Sequence, residues 1–383
     1  MPLNIRPKIP LYLRPPSIAD CPPGFVLPCI KQPQGAPLAG LDFQYSLDQT
    51  VKMVGGVMNS PGDLASWIIP VQGMRGETMS SHVDDLFSAF VLQPHQVKDS
   101  EMVEAVKTKF KIGKLQKGNP KLEVQETIHL LGLDLIDRDL YWEVNGDDKL
   151  VPLLGLQVDL QNYASICGSL GWLACHCLPT ISRPLAALPK SELLVEDEHM
   201  DELQAMLTKL RIEYERKEVP WLRVHKLQLK RPQLVAVSDG SKNTLTHNAR
   251  LGTSIWLVDL PDGAGIEKYH PGFPDHVDYA VFSASVPATL LYWSSSTLRR
   301  GSKNSTYSIE LQGKLRAIEK GEPIRAHLSA LVSYQVPYIA LADHLGLEES
   351  IQRMKPPSDP SLSPYLQWAR EWVISRETGY LST

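Results

Sequence analysis

The chain has 383 residues, of which 43% are hydrophobic and 21% charged, and this is the balance of a folded globular protein. Its net charge of −4 argues against a protein that is basic throughout, and its five cysteines are too few for a disulfide-built scaffold. No apolar run reaches the roughly 20 residues of a bilayer-spanning helix, and the N-terminus lacks the apolar core of a signal peptide. We therefore expect an intracellular protein, cytoplasmic or nuclear, with reduced thiols and no membrane partner.

The first part of the chain predicts one helix and a hairpin. After a start rich in proline and glycine, residues 41–58 carry apolar side chains at helical spacing. Residues 64–70 and 82–90 have the composition of short strands, and the glycine-containing segment between them predicts a hairpin. Asp84 and Asp85 lie near the expected turn in an apolar run, where carboxylates are costly to bury without a cation or hydrogen-bond donors.

The middle of the chain predicts mostly helices. Residues 97–111 have an amphipathic helical pattern, and residues 128–137 have the composition of a strand. Residues 161–190 form a long apolar helical pattern that prolines interrupt. Residues 193–213 predict another helix, whose acidic start and basic end suit the helix dipole.

The most basic segment of the chain spans residues 209–231 and includes Tyr214 and Trp221. Two interpretations of it stay open. A solvated helix end followed by a linker explains the composition, and charge alone favours this interpretation. Alternatively, the segment binds the phosphates of a nucleic acid. The residues that would then make the contacts are Lys209, Arg211, Arg216, Lys217, Arg223, Lys226 and Lys230.

From residue 232 onward, strands alternate with helices. Ser305 or Thr306 is a suitable cap for the first of these helices, and Gly321 is a suitable end. The order of elements predicts an α/β unit with a mixed sheet. The predicted elements are strands at 233–241, 251–259 and 288–296, a helix at 306–321, a strand at 336–344, and two further helices.

Three acids in this part of the chain are predicted to meet at one edge of the sheet. Asp239 ends the first strand, Glu310 lies in the first turn of the first helix, and Asp343 ends the following strand. Each alone has an ordinary explanation, as a turn residue, a partner of the helix dipole or an N-cap. Together they would repel one another unless cations bind, and hard oxygen ligands favour Mg²⁺ or Mn²⁺. Two such ions about 4 Å apart clamp a phosphodiester and activate a water.

Several short motifs follow one another in an order that is specific to one family. They are "LYLRPP" and "IKQPQGAPLAG" near the start, then "HVDD" and "LLGLDL", then "QNYASICGSLGWLACHCLPTISRPLAAL", and finally "VAVSDGS", "TYSIELQGKLRAI" and "IALADHLGLEESI". In this order they resemble the C-terminal part of the Pol polyprotein of Ty1/copia-type LTR retrotransposons. The "HVDD" motif resembles the catalytic motif of the reverse transcriptase, with His82 in place of the usual tyrosine.

The resemblance implies a mixed α/β (α+β) fold with three parts. Residues 1–115 would form a truncated reverse-transcriptase palm, residues 116–231 a helical thumb and connection, and residues 232–383 an RNase H-like domain with a mixed sheet. Gln34 and Gly35, in the palm segment, would contact the nucleic acid. The implied catalytic residues, which are also the metal ligands, are Asp84 and Asp85 in the palm and Asp239, Glu310 and Asp343 in the RNase H-like domain.

Two acids of the family have no counterpart in the chain. The matching strand for the other palm aspartate would lie before Met1, and the tail "ISRETGYLST" lacks the fourth RNase H acid. We therefore expect no DNA polymerase activity from this chain alone, unless a protein partner supplies the missing palm elements. The remaining hypotheses are a retroelement-derived enzyme that cleaves an RNA–DNA hybrid with Mg²⁺ or Mn²⁺, and a catalytically inactive, domesticated nucleic-acid-binding or scaffold protein.

Overall fold

The structure is a computed structural model, and it divides into two compact units that are described separately. The first unit contains residues 1–117 and 323–336, and the second contains residues 118–322 and 337–383. The residues that the structure describes are 12–13, 27–28, 39–60, 63–69, 77–82, 85–90, 100–110, 127–189, 192–227, 232–242, 249–259, 287–298, 305–332, 335–342, 344–352, 354–357 and 359–378.

The first unit contains a four-stranded antiparallel sheet in the order β3-β4-β5-β6 and a separate short pair, β1-β2. One core joins the sheet to two helices. Its most completely buried side chains are Leu47, Val51, Trp67, Met79, Met102 and Val106. The elements are β1 Tyr12–Leu13, β2 Leu27–Pro28, α1 Ala39–Lys52, β3 Val57–Ser60, β4 Asp63–Ile69, β5 Glu77–His82, β6 Asp85–Phe90 and α2 Glu101–Lys109.

Both strands of the predicted hairpin are present, as β4 and β6, but the predicted pairing between them is wrong. Strand β6 pairs with β5, which the sequence did not predict, and β5 in turn pairs with β4. The sequence of β5, "ETMSSH", contains only one β-branched residue and no aromatic residue, so its composition gives no strand signal. The turn between β5 and β6 lies between His82 and Asp85, which are directly opposite each other.

A buried carboxylate links this sheet to helix α2. Glu77, the first residue of β5, is 8% exposed. Its Oε2 accepts a hydrogen bond from the Glu101 amide at 3.1 Å, and its Oε1 accepts one from the Met102 amide at 3.3 Å. The hydroxyls of Ser88 and Ser100 also donate to Oε1. Burial raises the pKa of Glu77 above its usual range, although these donors act in the opposite direction.

The second unit begins with an antiparallel sheet in the order β10-β9-β8-β7 and four helices. Leu150, Leu170, Leu173 and Leu203 are completely buried in their shared core. The elements are β7 Thr127–Leu130, β8 Leu133–Asp137, β9 Tyr141–Asn145, α3 Asp147–Leu154, α4 Tyr163–His176, α5 Ser182–Ala187, α6 Asp197–Glu215 and β10 Leu222–His225.

The single strand predicted at 128–137 is in fact a tight hairpin. Leu131 and Gly132 form its two-residue turn, with φ angles of 54° and 76°. A turn with positive φ at both central residues suits the twist of a hairpin, and glycine adopts it readily. Leucine rarely adopts a positive φ angle, and therefore the residue types at this position do not predict a turn.

The rest of the second unit is built on a mixed sheet in the order β13-β12-β11-β14. The first three strands are antiparallel, and β14 lies parallel to β11. The predicted order of strands and helices is correct, and the mixed α/β class is confirmed. The elements are β11 Pro232–Lys242, β12 Ala249–Asp259, β13 Ala288–Leu298, α7 Thr306–Val332, β14 Tyr338–Ala342, α8 Leu345–Gln352 and α9 Ser363–Thr378.

Helix α7 continues past the glycine at which the sequence predicted its end. It spans 27 residues, and Gly321 and Pro323 lie inside it. A side chain at Gly321 would overlap the phenol ring of Tyr338, whose hydroxyl donates to the Ala317 carbonyl at 2.5 Å. Glycine is therefore needed here for close packing and does not end the helix. Among the described helices, none is both long and apolar enough to cross a lipid bilayer.

We expect Gly321→Ala to destabilise the second unit, although alanine is the better helix former. The added methyl group forces Tyr338 out of its site, which costs about 1–3 kcal/mol, whereas the gain in helix propensity is about 1 kcal/mol. Gly168→Ala is the matched control, because no atom lies within 4 Å of the added methyl group on α4. Thermal unfolding should show a lower midpoint for the first variant and an equal or higher midpoint for the control.

The two sheets of the second unit meet edge to edge through one threonine. Thr289 of β13 is 2% exposed. Its Oγ1 accepts a hydrogen bond from the His225 amide at 3.0 Å and donates to the Arg223 carbonyl at 3.4 Å. Farther along β13, the indole of Trp293 donates to the Ala174 carbonyl of α4 at 2.5 Å. The predicted thumb and RNase H-like regions are therefore parts of one compact unit.

Candidate active site

One of the predicted acids, Glu310, contacts the backbone amide of the residue that follows another, Asp239, although about 70 residues separate them. The Oε1 atom of Glu310 on α7 accepts a hydrogen bond from the Gly240 amide on β11 at 3.0 Å. Glu310 is 2% exposed, whereas Asp239, the residue before Gly240, is exposed. The Asp239 carboxylate is therefore open to solvent, whereas the Glu310 carboxylate is buried and fixed by a backbone amide.

The local positions of both acids differ slightly from the prediction. Asp239 does not end its strand, because β11 continues to Lys242. Glu310 is not in the first turn of its helix but begins the second, since α7 starts at Thr306. Ser305 caps this start, as predicted, and its hydroxyl accepts a hydrogen bond from the Ser308 amide at 3.1 Å.

The third predicted acid, Asp343, lies outside the described residues. Strand β14 ends at Ala342, which pairs in parallel register with Ser238 of β11. The Ser238 hydroxyl donates to the Leu341 carbonyl at 3.3 Å. Within the described part of the chain, no group of three or more His, Cys, Asp or Glu residues is arranged to hold a metal ion. Convergence of Asp343 with the other two acids stays a prediction.

Gly240 is a site residue that the sequence did not identify. A Cβ atom at this position would lie 2.6 Å from Ile309 Cγ2 and 2.9 Å from Glu310 Oε1. The absence of a side chain therefore lets α7 approach β11 and lets Glu310 reach the backbone amide. The Asp-Gly pair suggested an ordinary turn, but here it belongs to a continuous strand.

We expect Gly240→Ala to displace Glu310 and to destabilise the second unit by about 1–3 kcal/mol. Gly252→Ala is the matched control: it lies opposite Asp239 on β12, and its added methyl group meets no atom closer than 3.8 Å. Thermal unfolding of both variants checks this prediction. Equal unfolding midpoints for the two variants would show that close packing at Gly240 does not matter.

Lys314 is a second feature near the acids that the sequence did not reveal. It lies one helical turn after Glu310 and is 3% exposed, which is unusual for lysine. In the sequence it looks like an ordinary surface lysine of an amphipathic helix. The only signals are its spacing of four from an acid and its place between the apolar residues Leu311 and Ala317.

The predicted palm residues lie largely outside the described part of the chain. Asp84, Gln34 and Gly35 are not described. The backbone of Asp85 begins β6, which pairs with β5 and not with the predicted partner strand at 64–70. The roles of these residues in a polymerase site or in nucleic-acid contacts stay predictions.

The described part of the basic segment, residues 209–227, is divided between α6 with the turn after it and β10. Lys209 lies 3.7 Å from the Glu213 carboxylate on the same helix. Together with Arg216 and the acids Asp201 and Glu213, Lys209 lines a shallow groove along α6. The charges along this groove are mixed, as expected of a solvated helix face.

The remaining basic residues differ in whether their charges contact other side chains of the protein. The guanidinium of Arg223 lies 4.9 Å from the ring centroid of Tyr141. The ammonium of Lys226 pairs with Asp137 and lies 5.5 Å from the Trp142 ring centroid. These two charges are therefore engaged within the protein. By contrast, Arg211, Arg216 and Lys217 are exposed and make no ion pair with any described residue, whereas Lys230 lies outside the described residues.

Comparison with known proteins does not identify a family for this chain. No protein-family model matches it, and no curated protein is similar to it.

Proposed function

We propose that the chain is a retroelement-derived protein whose region from residue 232 onward is an RNase H-like domain that cleaves the RNA strand of an RNA–DNA hybrid. The Glu310–Gly240 hydrogen bond carries this proposal, because it fixes one predicted catalytic acid against the backbone amide that follows another. The order of the sheet supports it. Strand β14 lies parallel to β11, so the two strands end on the same side of the sheet, where Asp343 follows β14 in the sequence.

The donor set has the right chemistry for a divalent cation. Asp239 and Glu310 supply carboxylate oxygens, and these hard ligands suit Mg²⁺ or Mn²⁺. Asp343 would complete the set. When bound there, the divalent cation supplies charge that lowers the pKa of a water and stabilises the developing charge on the phosphate.

The protein residues have separate tasks in this reaction. Asp239, which is exposed, faces the bound phosphodiester and would hold the cation against it. Glu310 is fixed by the Gly240 amide, so it presents its carboxylate in one orientation without rearrangement during the reaction. The exposed Arg211, Arg216 and Lys217 would bind phosphates farther along the hybrid.

The experiment that tests this proposal uses the purified full chain and three duplexes, each with one end-labelled strand. The duplexes are an RNA–DNA hybrid, an RNA duplex and a DNA duplex, each incubated with Mg²⁺, Mn²⁺ or a chelator. We expect metal-dependent cuts in the RNA of the hybrid alone. The absence of cleavage with both metals would contradict the nuclease, and primer extension by this chain should be absent.

One observation favours the alternative of a catalytically inactive nucleic-acid-binding or scaffold protein. Lys314 is buried one turn from Glu310, and a positive charge there weakens a cation site. Under this alternative, the hybrid duplex binds in a salt-dependent manner but is not cut. If the chain neither cuts the hybrid duplex nor binds it in a salt-dependent manner, both the nuclease and the nucleic-acid-binding function are contradicted.

A further inference from the structure

Asp239 lies on the face of the mixed sheet that is turned away from α7. Its neighbour Ser238 packs against Gly313 of that helix, and successive residues of a strand point to opposite faces. On β12, Gly252 lies directly opposite Asp239. The other β12 residues on this outer face are Arg250, Ser254 and Trp256. They are at least partly exposed, whereas the residues between them are buried.

Helices α4 and α5 border the outer face along β13. Trp293 lies opposite Ser254, and its indole donates a hydrogen bond to an α4 carbonyl at 2.5 Å. Thr297 lies opposite Arg250, and its hydroxyl donates to an α5 carbonyl at 3.3 Å. The outer face is therefore the floor of a cleft that has a helical wall on one side.

Arg250 places a positive charge on this floor. It follows Gly252 on the same face at the distance of two strand residues, about 7 Å, so it lies next to the level of Asp239. Its guanidinium makes no ion pair with any described residue, Asp239 included. A guanidinium that is not engaged within the protein suits a phosphate, which it binds through two parallel hydrogen bonds.

Trp256 places an aromatic ring on the other side of the Asp239 level. It is 36% exposed, and its Nε1 donates to the Ser254 hydroxyl at 3.0 Å, so the ring lies along β12 toward Asp239. Val237, opposite Ser254, is 42% exposed. Because the one polar atom of the indole already has a partner in the protein, the rest of the ring offers apolar surface to a ligand.

We propose that the outer face is the docking surface for the RNA–DNA hybrid, and that Arg250 and Trp256 position the strand that Asp239 acts on. This inference rests on the proposed nuclease. Arg250 binds a phosphate next to the one at Asp239 and offsets the repulsion between that carboxylate and the approaching strand. Trp256 packs its ring against a ribose farther along, since the minor groove of an A-like duplex is shallow and exposes its sugars.

The first test measures binding of a fluorescently labelled RNA–DNA hybrid by anisotropy in chelator, so that no cleavage occurs, over a series of salt concentrations. We expect Arg250→Gln to bind more weakly and to reduce the slope of log K against log salt concentration by about 1, because one phosphate contact is lost. Lys320→Gln is the matched control, because Lys320 is a basic residue of α7 that pairs with Glu319 at 2.9 Å. Equal slopes for the wild type and Arg250→Gln would overturn the phosphate contact.

The second test separates the ring from the charge. Trp256→Ala should lower the affinity for the hybrid on the order of tenfold without changing the salt slope, whereas Trp256→Phe should keep most of the affinity. Trp368→Ala is the matched control, because Trp368 on α9 is 44% exposed. Unchanged affinity in Trp256→Ala, or a loss of the same size in Trp368→Ala, would overturn the role of Trp256.

These outcomes separate the docking surface from the nuclease. If the wild type fails to cut the hybrid with either metal while Arg250→Gln and Trp256→Ala weaken its binding as expected, the proposed nuclease fails and the docking surface stands. If the wild type cuts the hybrid but both variants bind it as tightly as the wild type does, the nuclease stands and the docking surface fails.

Discussion

Asp239→Asn is expected to abolish metal-dependent cleavage of an RNA–DNA hybrid while leaving the protein folded. The side chain is exposed, so its replacement by an amide of equal size removes a charge from the site without disturbing the packing. Loss of one cation ligand corresponds to about 4 kcal/mol of transition-state stabilisation, or a decrease in rate on the order of 10³-fold. Single-turnover cleavage with Mg²⁺, together with a thermal unfolding curve, measures both parts of the prediction.

Asp259→Asn provides the matched control for this variant. Asp259 ends the neighbouring strand β12 opposite Pro232, at the other end of the sheet from Asp239. Its replacement should leave the cleavage rate unchanged. If Asp239→Asn cuts the hybrid as fast as the control does, the activity belongs to another site or to a contaminating nuclease.

Glu77→Ala is expected to destabilise the first unit by about 3 kcal/mol. The variant leaves the amides of Glu101 and Met102 and the hydroxyl of Ser100 without their buried acceptor, and each unsatisfied group costs about 1–3 kcal/mol before water enters. Helix α2 should open first, because the amides of its first two residues lose the carboxylate that accepts their hydrogen bonds. Hydrogen exchange of the α2 amides, followed by mass spectrometry, should show faster exchange there than in the wild type.

The pH dependence of this effect follows from the direction of the pKa shift. Burial raises the pKa of Glu77 in the folded state, so the unfolded state loses its proton at lower pH than the folded state does. The contribution of Glu77 to the free energy of unfolding is therefore largest when the pH is below the usual pKa of a glutamate carboxyl. It falls as the pH rises through the raised pKa of Glu77 in the folded state. The difference in stability between the wild type and Glu77→Ala should accordingly shrink from acid to neutral pH.

Glu104→Ala is the control for helix α2. Glu104 is exposed and pairs with Lys107 one turn later, and such surface pairs contribute about 0–1 kcal/mol. This control should leave α2 exchange close to that of the wild type. Similar exchange in Glu77→Ala and Glu104→Ala would mean that the buried network does not hold the helix in place.

The parts of the fold that could be predicted are those in which a local pattern decides the structure. The apolar runs of β11 and β12 predicted both strands, and Ser305 was one of two predicted caps for the start of α7. The predictions that failed did so because contacts with distant parts of the chain decide the local structure. Strand β5 lacks β-forming composition and is held by strands on both sides, and α7 continues through Gly321 because Tyr338 packs there.

In the candidate site, too, only the features that follow from a local sequence pattern could be predicted. The order of strands and helices predicted that Glu310 would lie near the strand of Asp239, and Glu310 contacts the Gly240 amide of that strand. The roles of Gly240 and Lys314 depend on the distance between α7 and the sheet, which no local pattern encodes. Burial alone distinguishes Lys314 from a surface lysine.

The edge-to-edge contact at Thr289 has a consequence for how the chain is divided. Strands β13 and β10 are both outer strands of their sheets, and an outer strand with free backbone groups is a template for aggregation. In the intact unit, Thr289 and Trp293 tie β13 to β10 and α4. A fragment cut at residue 232 would uncover this strand and the Trp293 indole together. The region before residue 232 thus covers the outer strand of the sheet that carries Asp239.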